Sequence, residues 1–590
     1  MLRSNFERGS TRWAVRRSQW CAMGMSEDDF AKPKIAVVNS SSTLSVCYIH
    51  LDEISLEVQK SIRDHGGLPF EIRTAAPSDF ITSAGKKARY LLPSRDLIVN
   101  DIEVMVEGAC LDGMVLLSSC DKTTPAHLMA AARLNIPSIV VPCGYQLGGN
   151  CGGREVDIEE VYKAVGTVAT GSMTVDELES WTKVAIQGPG VCAGLATANS
   201  MHIMAEAIGM AAPGTTPIRA GSQKLMDAAR AAGGAIIGLI DEDLTPRKII
   251  TAAAVRNAIR VAIAIGASVN VVRHLAAIAT EAELDIDVVG LFESLGVNIP
   301  QIAQIKPNGP DRIEDLEAAG GTRAVQVRLR ERLELSATTV GGRPLGAVLE
   351  EPVRINEAVI RPVDHPFRQE PGLVILRGNL APDGAIMKIS AIPGALREFE
   401  GPARVFEDED AALRELGKGG IRPGDVVVLR MMGPVGGPGT VFACSMMAAL
   451  VGAGLGDRVA VVTDGELSGL NRGITVGQVM PEAASGGPLA VVREGEMIRI
   501  DVQGRRIDLK VNDLEERVKS WTPRERELRP GWLAIYSEVV QPIQKGAVLG
   551  RRHTKTAPAQ PGHLARHDPT DGSSPSDRNE FRNVDIPSRQ

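Results

Sequence analysis

The chain has 590 residues, of which 23% are charged and 44% hydrophobic, the composition of a globular protein with material for roughly two to four cores. A net charge of −7 and an aromatic content of only 3% exclude a nucleic-acid reader, which needs a basic surface and stacking rings. The eight cysteines (Cys21, Cys47, Cys110, Cys120, Cys143, Cys151, Cys192 and Cys444) are scattered and form no CxxC pair, which argues against a disulfide framework, a zinc ribbon or a thioredoxin-type site.

The first 25 residues carry five arginines and one acid, Glu7, without the apolar core of a secretory signal. They are expected to belong to the folded part of a cytoplasmic protein. Ile35-Ala36-Val37-Val38-Asn39 then reads as a strand that breaks into a polar loop ending at Cys47, with His50 as a hydrogen-bonded loop residue. Apolar spacing predicts a helix over 51–65, stopped by Gly66-Gly67. Leu68-Pro69-Phe70-Glu71-Ile72 is a second short strand, and Asp79 follows its end. A helix begins at Leu91-Leu92-Pro93 and runs through Val106.

Met114-Val115-Leu116-Leu117 reads as a buried strand, and His127-Leu128-Met129-Ala130-Ala131-Ala132-Arg133 as a helix. Between them lies Ser118-Ser119-Cys120-Asp121-Lys122-Thr123-Thr124-Pro125, a thiol, a carboxylate and an amine at one strand-to-helix corner. Ligands of open α/β sheets bind at such carboxyl ends. A thiolate suits iron and a carboxylate suits a hard divalent cation, so the corner can serve two metals. Ile136-Pro137-Ser138-Ile139-Val140-Val141 is a further strand, and the alternation of strands and helices predicts a parallel sheet.

Gly188-Pro189-Gly190-Val191-Cys192-Ala193-Gly194 is a Gly-rich turn entering a helix over 196–210. It lacks the Lys-Ser/Thr ending of a Walker loop. A thiol at a helix N-terminus tends to a lowered pKa, which would suit Cys192 to ligate iron; a buried structural thiol is the other reading. Residues 224–280 are strongly helical, with breaks expected at Gly233-Gly234 and Gly266. Uncharged stretches at 184–205 and 433–456 are dense in small residues and read as buried loop plus helix, with no membrane span.

Asp364-His365-Pro366-Phe367 reads as a linker. Beyond it come short Val/Ile-rich runs, among them 373–376, 426–429, 459–462, 489–492 and 498–502, which predict a β-rich second domain. Within it Thr463-Asp464-Gly465-Glu466-Leu467-Ser468-Gly469 follows a strand, and Ser468 lacks the GxSxG setting of a hydrolase nucleophile. The expected organisation is an αβα domain over 1–365, a β-barrel-like domain over 366–549 and a disordered, Pro- and Ser-rich tail over 550–590.

Taken together, these segments resemble the dihydroxy-acid dehydratase / phosphogluconate dehydratase family from about residue 10 to 548. The motifs fall in the family's order: Cys47 before Tyr48-Ile49-His50-Leu51, Leu92-Pro93-Ser94-Arg95, Cys120-Asp121-Lys122, Cys192 through Asn199-Ser200-Met201, and Gly378-Asn379-Leu380-Ala381. Gly433-Pro434 with Gly436-Gly437-Pro438-Gly439, Asp464-Gly465 with Ser468-Gly469, and Pro481-Glu482-Ala483 complete the series. The resemblance implies an iron–sulfur cluster, [2Fe–2S] or [4Fe–4S], held by Cys47, Cys120 and Cys192 with one iron open to act as a Lewis acid. It implies Mg2+ beside the cluster on Asp79, Asp121 and a carbamylated Lys122, and Ser468 as the base that takes the C2 proton of a small 2,3-dihydroxy acid. The product would be a 2-oxo acid, and the chain a homodimer or a dimer of dimers with no nucleic-acid or membrane partner.

The chain also departs from the family. Phe442 stands where a metal-binding Glu is usual, Met432 replaces an acid, and Asp79-Phe80 replaces an Asp-Gly pair. Ala84-Gly85 stands where Gly-His is common, Glu466 where Arg is common, and Gln478 where His is. Either water or Glu466 replaces the missing ligand, or the site has lost activity. Glu466 is therefore a further candidate metal ligand. The leading expectation is a hydro-lyase of branched-chain amino-acid biosynthesis, because Arg133-Leu134-Asn135-Ile136-Pro137 and Lys545-Gly546-Ala547-Val548 resemble that branch. Thr123-Thr124-Pro125 leans toward an aldonate dehydratase, and Phe442 toward a non-catalytic, cluster-binding relative.

Overall fold

In the computed structural model, residues 2–84, 88–169, 171–392, 398–439, 444–467, 473–523 and 529–550 are described. Four strands, β1 (Lys34–Asn39), β2 (Leu68–Arg73), β3 (Gly113–Ser118) and β4 (Ser138–Pro142), form a parallel sheet in the order β2-β1-β3-β4. Every residue of β1, β3 and β4 is buried, as a parallel sheet covered on both faces requires, whereas edge strand β2 exposes part of its length. The chain leaves β1 to one side for β2 and returns to its other side at β3. The strand order therefore reverses between β1 and β3, where an open α/β sheet forms its ligand crevice.

Helices Leu51–Asp64 and Gln223–Asp241 pack together against the sheet. The expected break at Gly233-Gly234 is absent, and the helix runs through both glycines. At Gly233 a Cβ would come within 2.7 Å of Ser61 Cβ, so the glycine permits the close crossing and does not end the helix. Gly266 does end a helix, Ala252–Ile265, in the left-handed conformation at φ 62°.

After a small hairpin of β5 (Gly149–Cys151) and β6 (Arg154–Val156), the remaining strands close into an eight-stranded barrel. These are β7 (Leu373–Gly378), β8 (Ala381–Lys388), β9 (Glu398–Phe406), β10 (Val426–Leu429), β11 (Ala460–Thr463), β12 (Thr475–Met480), β13 (Met497–Asp501) and β14 (Arg506–Leu509). The run 488–491 is a 3-10 helix and not the strand expected at 489–492; Pro488 at its start withholds a ladder N–H. β9 to β12 run parallel to one another, and closure leaves no open edge.

Every residue of β10 and β11 is buried because the two strands serve two cores. Val426, Val428, Ala460 and Val462 point into the barrel, while Val427, Leu429 and Val461 join the core that also contains β1 and β3. This shared core holds the carboxyl end of β11 against the larger sheet domain. Among the described residues, no helix is long and apolar enough to cross a membrane.

Candidate functional site

Loops from the carboxyl ends of the parallel strands carry the site. Cys47 follows β1, Asp79 follows β2, and Cys120, Asp121 and Lys122 follow β3. Cys120 has φ 63°, a left-handed turn that connects β3 to the helix Thr123–Leu134. Tyr48 fastens the three loops: its hydroxyl donates to the Pro77 carbonyl at 2.6 Å and lies 3.0 Å from Thr123 Oγ1. Ser119 Oγ donates to the Cys47 carbonyl at 2.7 Å, and Ser45 Oγ to Ser78 Oγ at 2.9 Å.

Cys192 enters from a fourth loop, whose carbonyl accepts from Asn199 Nδ2 at 2.6 Å. Cys47 and Cys120 are buried and Cys192 is partly so, and all three are free thiols. The Cys120 thiol is held well above its usual pKa by a hydrogen bond with Cys47, by burial and by the charge Cys47 can carry. Cys192 is also held high, by burial and then by Cys120, Asp79 and Asp121. The lowered pKa expected at a helix N-terminus does not hold for Cys192, because the thiol's surroundings are dry and acidic and the helix Thr197–Ala207 starts five residues later. Three free thiols converge here, Cys120 beside Cys47 and Cys192 within the field of Cys120, and the chemistry of the set fits an iron–sulfur cluster.

Beside the thiols lies a buried ionic cluster. Lys122 Nζ donates to Asp121 Oδ1 at 2.8 Å and to Glu466 Oε1 at 3.0 Å, and stands 3.9 Å from Asp79 Oδ1. Glu466 arrives from the carboxyl end of β11, so the barrel completes the group. Arg273 Nη2 lies 2.8 Å from Glu466 Oε1, with neither side chain exposed. His274 Nε2 is 3.8 Å from Asp121 Oδ1, and its Nδ1 is 3.4 Å from Arg95 Nη1. Asp121, His274 and Glu466 each bring a ligand atom within 4.8 Å of the others.

The charges sort by neighbour. Burial opposes ionisation of Asp121, but Lys122, Asp79 and His274 together overcome it and hold the carboxyl well below its usual range. Glu466 is lowered as well, because Arg273 and Lys122 overcome its burial. Asp79 is raised well above its usual value by burial and by the Asp121 charge. Burial lowers His274 to about 3, so it is neutral. Asp79 Oδ1 and Glu466 Oε2 are buried without a hydrogen-bond partner. Unsatisfied carboxyl oxygens on two acids that both flank Lys122 suit a hard divalent cation.

Asn270 ties the Glu466 segment in place: its Nδ2 donates to the Leu467 carbonyl at 3.0 Å, and its Oδ1 accepts from Gln478 Nε2 at 3.0 Å. Asp464 is structural, accepting from the backbone N–H groups of Met432 and Ala483 at 2.9 and 2.8 Å. His50 lies 2.7 Å from the Cys143 carbonyl. Ser468 and Phe442 lie outside the described residues.

Two models of the dihydroxy-acid/6-phosphogluconate dehydratase, for its N-terminal and C-terminal parts, match residues 32–348 and 358–547. The chain belongs to the dihydroxy-acid/6-phosphogluconate dehydratase family. Relatives named dihydroxy-acid dehydratase match this member of the family over nearly all its length. That of Methanococcoides burtonii is 40% identical over 93% of this chain and 100% of its own. That of Methanothrix thermoacetophila is 41% identical over the same shares, and that of Syntrophobacter fumaroxidans is 40% identical over 94% and 100%.

Arg273 and His274 were not singled out by the sequence patterns. A signal was present, since a cation and an imidazole interrupt the otherwise apolar opening Val271-Val272 … Leu275-Ala276 of the helix Asn270–Glu281. Their distances to Glu466 and Asp121, both in the buried interior, show that they face the ionic cluster.

Proposed function

We propose that this family member is a hydro-lyase that converts a 2,3-dihydroxy carboxylic acid to a 2-oxo acid, with 2,3-dihydroxyisovalerate of branched-chain amino-acid biosynthesis as the leading substrate. The observation that carries the reading is the convergence of three free thiols and an acidic cluster at the switch point of the sheet. The names of the full-length relatives support the substrate class. Cys47, Cys120 and Cys192 would hold an iron–sulfur cluster. Asp79, Asp121 and Lys122 as its carbamate would hold Mg2+, with Glu466 in the place of the family's missing Glu.

Bound there, the cluster supplies a Lewis acid for the departing C3 hydroxyl and magnesium a charge that acidifies the C2 proton. Ser468 Oγ, as its alkoxide, would take the C2 proton and return it to the departing C3 hydroxide, so that water is lost, the alkoxide is restored and the resulting enol tautomerises to the 2-oxo acid. His274, neutral and 3.8 Å from Asp121 Oδ1, flanks that carboxylate without adding charge. Asn270 and Gln478 hold the segment that leads to Ser468. The reading includes two functional domains, 1–365 and 366–549, and a cytoplasmic setting, which the free cysteines favour. The reading also includes a homodimer or a dimer of dimers.

The test is 2-oxo-acid formation by anaerobically reconstituted protein with magnesium. Turnover of 2,3-dihydroxyisovalerate is expected. Turnover of aldonates alone would move the protein to the sugar-acid branch. No product from either, at full iron and sulfide content, would mark a non-catalytic relative.

A further inference from the structure

Arg273 is a fully buried guanidinium whose charge partner is Glu466, and Glu466 Oε1 is shared with Lys122. Although Nη2 lies 2.8 Å from that oxygen, none of the three guanidinium nitrogens has an acceptor in hydrogen-bonding geometry among the described residues. A guanidinium stays charged at any physiological pH and carries five donors in a planar fork. Burying it with its donors unsatisfied is costly unless an acceptor arrives. The shape of the fork matches a carboxylate, which it can grip through two parallel hydrogen bonds.

We propose that Arg273 is the carboxylate-recognition residue of this site and holds the acid group of the substrate. The proposal deepens the dehydratase reading and rests on it. Glu466 acts as a stand-in anion, neutralising the guanidinium while the site is empty. The position suits the task. Arg273 touches Glu466, which reaches Lys122, and it adjoins His274, which reaches Asp121. An acid gripped by Arg273 therefore has its neighbouring carbons beside the acidic cluster. The neutral amide of the same acid offers only one oxygen and no charge, so this recognition discriminates against it.

The experiment is calorimetric titration of the anaerobically reconstituted holoenzyme with 2-oxoisovalerate, a sugar-derived 2-oxo acid and the amide of 2-oxoisovalerate. It compares wild type with Arg273→Met and Arg273→Lys. Wild type is expected to bind one of the acids and to prefer it over the amide. Arg273→Met should weaken the acid by about tenfold to a hundredfold and erase the preference, while Arg273→Lys, which keeps the charge and loses the fork, falls between. In turnover the Met variant should raise KM more than it lowers kcat. Thermal melts by circular dichroism establish that each variant is folded; if Arg273→Met is not, acid binding by Arg273→Lys equal to wild type overturns the proposal. Retained affinity and retained discrimination in a folded Arg273→Met protein overturn it as well. If wild type binds neither acid, the dehydratase reading falls and the proposal falls with it.

Discussion

Glu466, delivered by the barrel, accepts from Lys122, delivered by the parallel sheet, at 3.0 Å, with neither side chain exposed. The pair closes the ionic cluster across the two halves of the fold. Opposite charges at such burial are held together because each would be costly alone.

Replacing Glu466 with Gln should therefore affect both stability and metal binding. Removing one member of a buried ionic group costs about 3 kcal/mol. A lower apparent melting temperature is expected, together with a loss of bound magnesium measured by metal analysis. Unchanged magnesium content and turnover would remove Glu466 from the metal site and leave water as the replacement ligand.

Serine at Cys47, Cys120 or Cys192 should each abolish stable cluster incorporation, since the three thiols share one locus. Iron and sulfide content and the visible absorption of the reconstituted protein are the readout. Cys110→Ser is the control: its thiol caps the Glu107 carbonyl at 3.6 Å in an exposed region, and iron content should match wild type. Equal iron in a Cys192→Ser protein would overturn the three-thiol assignment.

Glu206 provides a pH signature away from the site. Burial raises its carboxyl from 4.5 to about 7, although the Gly214 and Thr216 N–H groups and the Thr216 hydroxyl donate to it. A group raised in the folded state contributes stability that is fully present below the unfolded pKa and lost as pH rises through the folded one. Between pH 4.5 and 7 this group alone should remove about 3 kcal/mol. The advantage in melting temperature of wild type over Glu206→Gln should shrink across that window. A difference independent of pH would refute the assignment.

Gly233→Ala should lower the melting temperature, even though Ala favours a helix by about 1 kcal/mol over Gly. The new methyl would lie 2.7 Å from Ser61 Cβ and 2.8 Å from the Val58 carbonyl oxygen, so the helix Gln223–Asp241 must shift away from the helix Leu51–Asp64. A net loss of about 1–3 kcal/mol is expected from chemical denaturation. Stabilisation would mean that the crossing is looser than its geometry indicates.

Arg95 is buried, binds Asp96 at 3.1 Å and donates to the Ala547 carbonyl at 2.8 Å, tying the motif Leu92-Pro93-Ser94-Arg95 to the end of the described chain. Arg95→Met leaves Asp96 unpaired and should cost about 3–5 kcal/mol. Limited proteolysis should then cut near residue 540 sooner than in wild type. Equal resistance would show that Ala547 is held by other contacts.

Much of this protein is readable along the chain. Alternation of strands with helices specified the parallel sheet, and Cys120-Asp121-Lys122 at a strand-to-helix corner placed the candidate site at the sheet's carboxyl edge. These signals are local: hydrophobic period and turn chemistry act over a few residues. The same local rules misjudged Gly233-Gly234, where a glycine expected to break a helix instead permits a close crossing with a partner 172 residues away in sequence. They likewise made a strand of 489–492, most of which belongs to the 3-10 helix 488–491.

What only the tertiary structure decided is who neutralises whom. Glu466 marked a departure from its family along the sequence, yet nothing near it in the chain names Lys122 or Arg273 as its partners. The two faces of β10 and β11 pack into separate cores, and that packing brings the acid across the molecule. Burial then makes each charge depend on its neighbours, because water no longer screens them. Residue identity determines which charges exist; the fold determines which of them must balance.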